Sequence, residues 1–281
     1  MVEIGKINKL KIAEKEEFGV YLNGEQFGKI FLPGRDVPEN YKIGNLLDVF
    51  IYSGSQGEIS VTTQTPYAVA GEFAFMKVVS VNTIGVFLDW GIQKDLLVPY
   101  SEQKQKMEEG LFYIVFVYLD DKSRRIVASS KLDKFLVNQR FDFKEKQEVD
   151  LLIFGSTDIG YKAIVNNCQW GMLYKNEVFQ NLKKGQKIKG FIKKVRDDGK
   201  IDVCLHKPGY DTVKYFTEII MDKLKVEGGF IGVNDKSSPE AIYDMFGMSK
   251  KIYKKAIGSL YKKKTISIED EGIRLKEKHE K

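Results

Sequence analysis

The sequence predicts a mainly β chain, three tandem five-stranded barrels followed by an α+β domain, on three observations. Gly19, Gly85 and Gly160 each head the same series: 14 residues on stands a turn-forming or aromatic residue (Pro33, Pro99, Tyr174), and 25 on another glycine (Gly44, Gly110, Gly185). An isoleucine then opens a β-rich run 41 residues on in two copies (Ile126, Ile201) and 40 on in the first (Ile59), while Gly5 and Gly71 precede two of the heads by 14. After His206 the hydrophobic period changes from two toward 3.6. Turn glycines at fixed spacing between β-branched and aromatic runs describe one small strand unit used three times.

The first copy, residues 1–66, turns through Ser53-Gly54-Ser55-Gln56-Gly57 and ends at Thr65-Pro66. The second, residues 67–134, reads as strands over Phe73–Val81, Ile84–Leu88, Leu96–Val98, Leu111–Leu119 and Ile126–Ser129. So many short strands in about sixty residues fit a Greek-key barrel, because an antiparallel sheet of that length hides its edges best by closing on itself. A charged stretch from Lys131 to Glu148 leads into the third copy, residues 145–206. There Asp197-Asp198-Gly199-Lys200 supplies an Asp-Gly hairpin turn between Lys189–Val195 and Ile201–Leu205.

In residues 210–276, Val213–Leu224 fits a helix with Phe216, Ile219, Ile220 and Leu224 on one side. Ser237-Ser238-Pro239-Glu240 starts a second helix with a hydroxyl cap and a first-turn proline, and Gly247 stops it. Ser249 caps a third, which runs to about Lys262. Thr265–Ile268, the turn Glu269-Asp270-Glu271-Gly272 and Ile273–Leu275 complete a hairpin. Three helices followed by a hairpin form the winged-helix arrangement. Ser249–Lys264 holds seven lysines and no acid. Ile252, Ala256, Ile257 and Leu260 make its apolar stripe, which leaves Lys250, Lys251, Lys254, Lys255 and Lys262 as candidate phosphate contacts. A solvated face is the plainer explanation, but uncompensated charge at that density favours a polyanion. Protein contact through Tyr253 and Tyr261, as exposed aromatics, is the alternative.

The chain has 281 residues, 43% of them hydrophobic, enough for several cores. Its 45 Lys plus Arg against 39 Asp plus Glu give +6, which permits a polyanionic partner without requiring one. Met1 to Lys6 lacks an apolar signal core, and no run approaches the roughly 18 apolar residues of a membrane span, so a cytoplasmic protein without a membrane partner is expected. Cys168 and Cys204 have no CxxC spacing and His206 and His279 lie far apart, so no zinc site is expected and the cysteines read as buried, reduced thiols.

A longer pattern runs through Gly85-Val86-Phe87-Leu88, Leu97-Val98-Pro99-Tyr100-Ser101, Gly110 to Val115 and Asp121-Lys122-Ser123-Arg124-Arg125-Ile126 to Lys131. It is similar to the OB-fold RNA-binding domain of ribosomal protein S1. The resemblance implies a surface on which unpaired bases stack, built from two aromatics on the second strand, a histidine after the third and a basic residue on the fifth. Such stacking is worth about 1–3 kcal/mol per base and tolerates any sequence. The paired positions hold Phe18 and Tyr21, Ile84 and Phe87, and Ile159 and Lys162; the histidine position holds Pro33, Pro99 and Tyr174. Arg125 and Lys200 take the basic position in copies two and three, where copy one has Glu58. Copy one alone keeps both aromatics, so each barrel is expected to bind weakly. Against this, aromatics in β-runs such as Phe18, Tyr21, Phe87 and Tyr161 are as often core residues.

Three barrels and a winged helix, with Phe87-Leu88-Asp89-Trp90-Gly91 leading to Lys94-Asp95-Leu96-Leu97-Val98-Pro99, with Ile159-Gly160-Tyr161, and with Ser249-Lys250-Lys251 through Lys255-Ala256-Ile257-Gly258-Ser259-Leu260-Tyr261, resemble the bacterial conserved virulence factor B proteins. That resemblance implies an RNA-binding regulator of gene expression with no enzymatic activity. Gly24-Glu25-Gln26-Phe27-Gly28-Lys29-Ile30 is one residue short of a phosphate loop and lacks its hydroxyl. The pairs Asp120-Asp121 and Asp197-Asp198 fall in hairpin turns, which explain them better than acid–base work does. No enzyme, metal or cofactor is expected. The expected partner is single-stranded RNA, or alternatively DNA read by the winged helix while the barrels contact ribosome or polymerase; a scaffold that binds no nucleic acid is the third reading.

Overall fold

The computed structural model describes residues 1–54, 58–136, 142–175, 177–178, 180–207 and 212–276. It divides into two compact units, Met1–Val137 and Asn138–Lys281. The first contains β1 (Ile7–Glu16), β2 (Gly19–Asn23), β3 (Lys29–Pro33), β4 (Leu46–Ser53) and β5 (Ile59–Thr62), then β6 (Phe73–Val81), β7 (Gly85–Leu88), β8 (Leu96–Pro99), β9 (Phe112–Leu119) and β10 (Ile126–Ser129). The orders β3-β2-β1-β4-β5 and β8-β7-β6-β9-β10 are the same topology twice. The second unit begins with β11 (Glu148–Thr157), β12 (Gly160–Val165), β13 (Gln169–Tyr174), β14 (Lys187–Val195) and β15 (Ile201–Cys204). The turn expected at Ser53–Gly57 includes Ser55, Gln56 and Gly57, which lie outside the described residues, as does His279.

Each offset of the repeat has a physical cause. Gly19, Gly85 and Gly160 begin the second strand of each copy and pair across the hairpin with Pro33, Pro99 and Tyr174, so the 14-residue spacing is the register of one hairpin. A Cβ on these glycines would strike the carbonyl oxygens of Leu32, Val98 and Leu173. Gly44, Gly110 and Gly185, at φ of 91°, 81° and 83°, donate to the carbonyls of Ile12, Val78 and Ile153, each next to a bulge in the first strand of its copy. Gly5 and Gly71 bond Ile51 and Val117 in the same way, and Lys146, at φ 67°, takes that place in copy three with its N–H on Ile192.

Closure differs between copies. In copy three, β13 pairs in parallel with β15 from Gly171↔Ile201 to Leu173↔Val203, which completes a barrel. Copies one and two are curled sheets without that ladder. Gly171 explains the difference: it stands where the first copies have Ile30 and Leu96, and a Cβ there would press on Val165 and Val203. In copy one, Phe31, Tyr52, Asp36 and Thr62 instead help line a cleft of about 320 Å³ between β3 and β5.

Copies one and two share a core. Phe50, fully buried on β4, meets Trp90 edge-on with ring centroids 5.2 Å apart and packs with Ala68 and Ile92. Trp90 Nε1 donates to the Ala68 carbonyl at 2.8 Å, so the indole is satisfied without water. Lys94 donates to the Ser53 carbonyl at 2.7 Å and lies 5.5 Å from the Tyr52 ring centroid; burial pushes its pKa below the ordinary lysine value.

The C-terminal elements are α1 (Thr212–Val226), β16 (Phe230–Ile231), α2 (Pro239–Phe246), α3 (Lys250–Lys262), β17 (Ile266–Glu269) and β18 (Gly272–Leu275), with sheet order β16-β18-β17. Ser238 Oγ accepts from Ala241 N–H, Pro239 opens α2 and Gly247 ends it left-handed. Ser249 occupies the N-cap of α3 without a side-chain bond. Two expectations are corrected. Tyr253 is fully buried among Phe246, Ile257 and Leu260 and donates to the Val233 carbonyl at 2.7 Å, so it offers nothing to a partner. Cys168 and Cys204 are free thiols but only half-buried, because Cys168 lies in the turn between β12 and β13 and Cys204 ends β15. Burial still pushes both thiols up. The short strand β16, hidden in the sequence between Gly228-Gly229 and Gly232, adds an edge to the hairpin.

Candidate nucleic-acid interface

Strand alternation sorts the candidate residues. On β2, Val20 and Leu22 point into the core while Tyr21 points out; on β3, Ile30 and Leu32 point in while Phe31 points out. Tyr21 and Phe31 are direct cross-strand neighbours with ring centroids 5.4 Å apart. Phe18, in the turn before β2, is 76% exposed and borders a groove of about 760 Å³ with Lys15, Arg35 and Tyr41. Copy one therefore presents three aromatic rings on one outward face with Lys15 and Arg35 nearby, which suits stacked bases on a phosphate backbone. Phe31 was not among the expected residues; the hairpin register from Gly19 to Pro33 would have placed it opposite Tyr21.

The same positions are exposed in the other copies but carry other chemistry. Ile84 and Ile159 are 56% and 58% exposed, matching Phe18. Phe87 points outward and half-buried on β7, opposite Leu97. Lys162 is committed to its own barrel: its ammonium lies 3.6 Å from the Trp170 ring centroid, with Phe154 edge-on to that indole at 5.2 Å. Tyr174 donates to Asp202 Oδ1 at 3.1 Å, and beside it Lys193 pairs with Glu177, a bond that raises the lysine pKa. Lys200 pairs with Asp198 at 3.1 Å on the hairpin tip. Arg125 is exposed at the foot of β10, close enough to Lys94 for its charge to act there. Tyr161 leans toward the core of copy three.

On α3 the lysines divide. Lys250 is half-buried and donates to the Lys236 carbonyl at 3.3 Å, and Lys254 lies 3.8 Å from Asp235. Lys251, Lys255 and Lys262 are exposed and have no ion pair among the described residues. Tyr261 is 54% exposed beside them. The wing tip is acidic: Asp270 is almost wholly exposed and pairs with Lys236 at 3.0 Å, and Glu269 pairs with Arg274. Among the described residues no group of His, Cys, Asp and Glu could hold a metal ion, and no helix is long and apolar enough to cross a membrane.

Residues 4–64 and 70–131 match the S1 domain, and residues 218–275 match the CvfB-like winged helix domain; neither is an enzyme family. Conserved virulence factor B of Staphylococcus epidermidis is 24% identical over 285 residues, 98% of this chain and 95% of its own. An uncharacterized protein of Bacillus subtilis, YitL, is 25% identical over 261 residues, 90% of this chain and 87% of its own. A crystal structure of a Streptococcus pneumoniae multidomain protein with nucleic acid binding domains aligns over 97% of this chain and 98% of its own, at 20% identity and a TM-score of 0.42.

Proposed function

From the premise that the chain is a homologue of the Conserved virulence factor B proteins, with S1 domains and a CvfB-like winged helix, we propose that it is a cytoplasmic regulator that binds single-stranded RNA. The observation that carries this reading is the outward face of copy one, where Phe18, Tyr21 and Phe31 stand clear of the core beside Lys15 and Arg35. Stacking on such rings needs bases with free faces, which a duplex does not offer. Copies two and three have replaced or engaged most of the equivalent side chains, so copy one leads, and Phe87, Arg125, Lys200 and α3 add weaker contacts to the same strand. Strung along one RNA, these raise one another's effective concentration.

Filter binding of the full chain to RNA strands of graded length, with duplex DNA of the same length beside them, tests the proposal. The expected result is that a strand long enough to span several sites binds at least about tenfold more tightly than one that fills a single site. Tighter binding to duplex DNA than to single-stranded RNA at equal salt would overturn the reading.

A further inference from the structure

We infer that Gly258 is a contact residue, one that keeps the outer face of α3 low enough for the backbone of a single RNA strand to lie along the helix between Lys255 and Lys262. The inference rests on the RNA-binding reading above and assigns it a track.

At about 100° per residue, Lys251, Lys255, Gly258 and Lys262 fall within about 60° of arc, a straight stripe roughly 16 Å long. The stripe lies opposite Tyr253, Ala256, Ile257 and Leu260, all buried in the domain core. A glycine inside a helix destabilises it relative to alanine, so its presence calls for a reason. Other glycines within elements show theirs: Gly19, Gly85, Gly160, Gly171, Gly190 and Gly272 each have a carbonyl or side chain where a Cβ would go, and Gly155, with open space there, sits at the bulge of β11 at φ 159°. Gly258 does not. A Cβ there would meet nothing within 4 Å among the described residues, and its backbone is ordinary helix, which any residue adopts.

The requirement therefore comes from outside the fold, and the flanking charge says what meets it. Lys251, Lys255 and Lys262 project without ion pairs among the described residues on either side of the notch, whereas Lys250 and Lys254, on the adjacent flank, are held by Lys236 and Asp235. Cations around a half-exposed glycine whose Cβ position is open fit a phosphodiester chain that approaches closely and is neutralised from both sides. The acidic wing selects its form. Asp270 and Glu269 hold Lys236 and Arg274 in ion pairs at the hairpin tip, which leaves those cations less free for the second backbone of a duplex, so a lone strand is favoured.

The experiment uses the full chain with a single-stranded RNA and a duplex DNA of equal length, and the variants Gly258→Ala, Gly258→Leu and the triple Lys251→Gln, Lys255→Gln, Lys262→Gln. Gly258→Ala is expected to raise the melting temperature by about 2–4 °C while weakening RNA binding at least about threefold, and Gly258→Leu to weaken it further. The triple variant is expected to weaken binding and flatten its salt dependence. If the triple variant binds RNA as the unmodified chain does, α3 is no contact and the reading beneath the inference falls for this helix. If the triple variant is impaired but both Gly258 variants bind normally, the inference alone is overturned. A loss on duplex DNA equal to or greater than that on RNA overturns the assignment to a single strand.

Discussion

Tyr21 and Phe31 face each other across the β2–β3 ladder with their rings 5.4 Å apart and 60° between their planes, outside the core that Val20, Leu22, Ile30 and Leu32 fill behind them. Because the pair stands on the barrel rather than in it, removing either ring tests binding with little cost to folding. Phe18→Ala, Tyr21→Ala and Phe31→Ala should each weaken RNA binding by about 1–3 kcal/mol. The Tyr21 and Phe31 effects should fall short of additive, since the rings touch. Titration of labelled RNA together with a melting curve for each variant checks this; a variant that melts early instead would return its ring to the core.

The Phe50–Trp90 contact predicts cooperation between the first two copies. Phe50→Ala should destabilise the unit by about 3–5 kcal/mol, the usual cost of emptying a buried aromatic site. It should also split one calorimetric transition into two, because the ring belongs to the core of the neighbouring copy. A single transition, merely shifted, would show that the copies are joined by other contacts.

Substituting alanine at Gly19, Gly85 or Gly160 should destabilise each barrel well beyond the modest effect of a surface change, by about 1–3 kcal/mol. The cause is steric, since the new methyl meets the carbonyl of Leu32, Val98 or Leu173. Gly44→Ala should also destabilise, through its positive φ instead of a collision. Chemical denaturation of the four variants separates the two mechanisms if Gly44→Asn, which tolerates that conformation, recovers stability where Gly19→Asn does not.

His206 carries a pH dependence. It lies against Tyr215 with ring centroids 4.6 Å apart, and burial lowers its pKa from the ordinary 6.5. A folded pKa below the unfolded one means that the unfolded chain binds the proton more readily, so stability should fall as pH drops through about 6.5 and level off below the folded value. His206→Phe keeps a ring on Tyr215 and removes the proton site. Its denaturation midpoint should be less sensitive to pH between 7 and 5 than that of the unmodified chain; equal slopes would exclude His206 as the source.

The repeat was legible because its markers answer to backbone geometry. Gly19 and Pro33 mark one hairpin and Gly44 a left-handed turn beside a bulge, and few residues other than glycine can stand there. Where the chain tolerated a substitute, the signal disappeared: Lys146 holds the place of Gly5 and Gly71 at φ 67° and reads as one more charge. The helices were legible through Ser238, Pro239 and Gly247, whose roles are local. Side-chain commitments were not. Lys162 stands at a stacking position in the sequence, yet Trp170, across the hairpin, lies beneath its ammonium, and Tyr253 reads as an exposed aromatic although Val233, twenty residues back, accepts its hydroxyl. Phe31 was missed for the opposite reason, since a phenylalanine between Ile30 and Leu32 reads as core until strand alternation turns it outward.

Tandem repeats change number when recombination misaligns one copy with the next. Here the first two copies resist that drift. A deletion of either would leave Phe50 or Trp90 facing water, and an insertion between them would part Phe50 from Trp90 and Lys94 from Ser53. The surface residues of each copy can thus be substituted at little structural cost, while neither of the two copies in this half of the chain can be gained or lost without exposing the core they share.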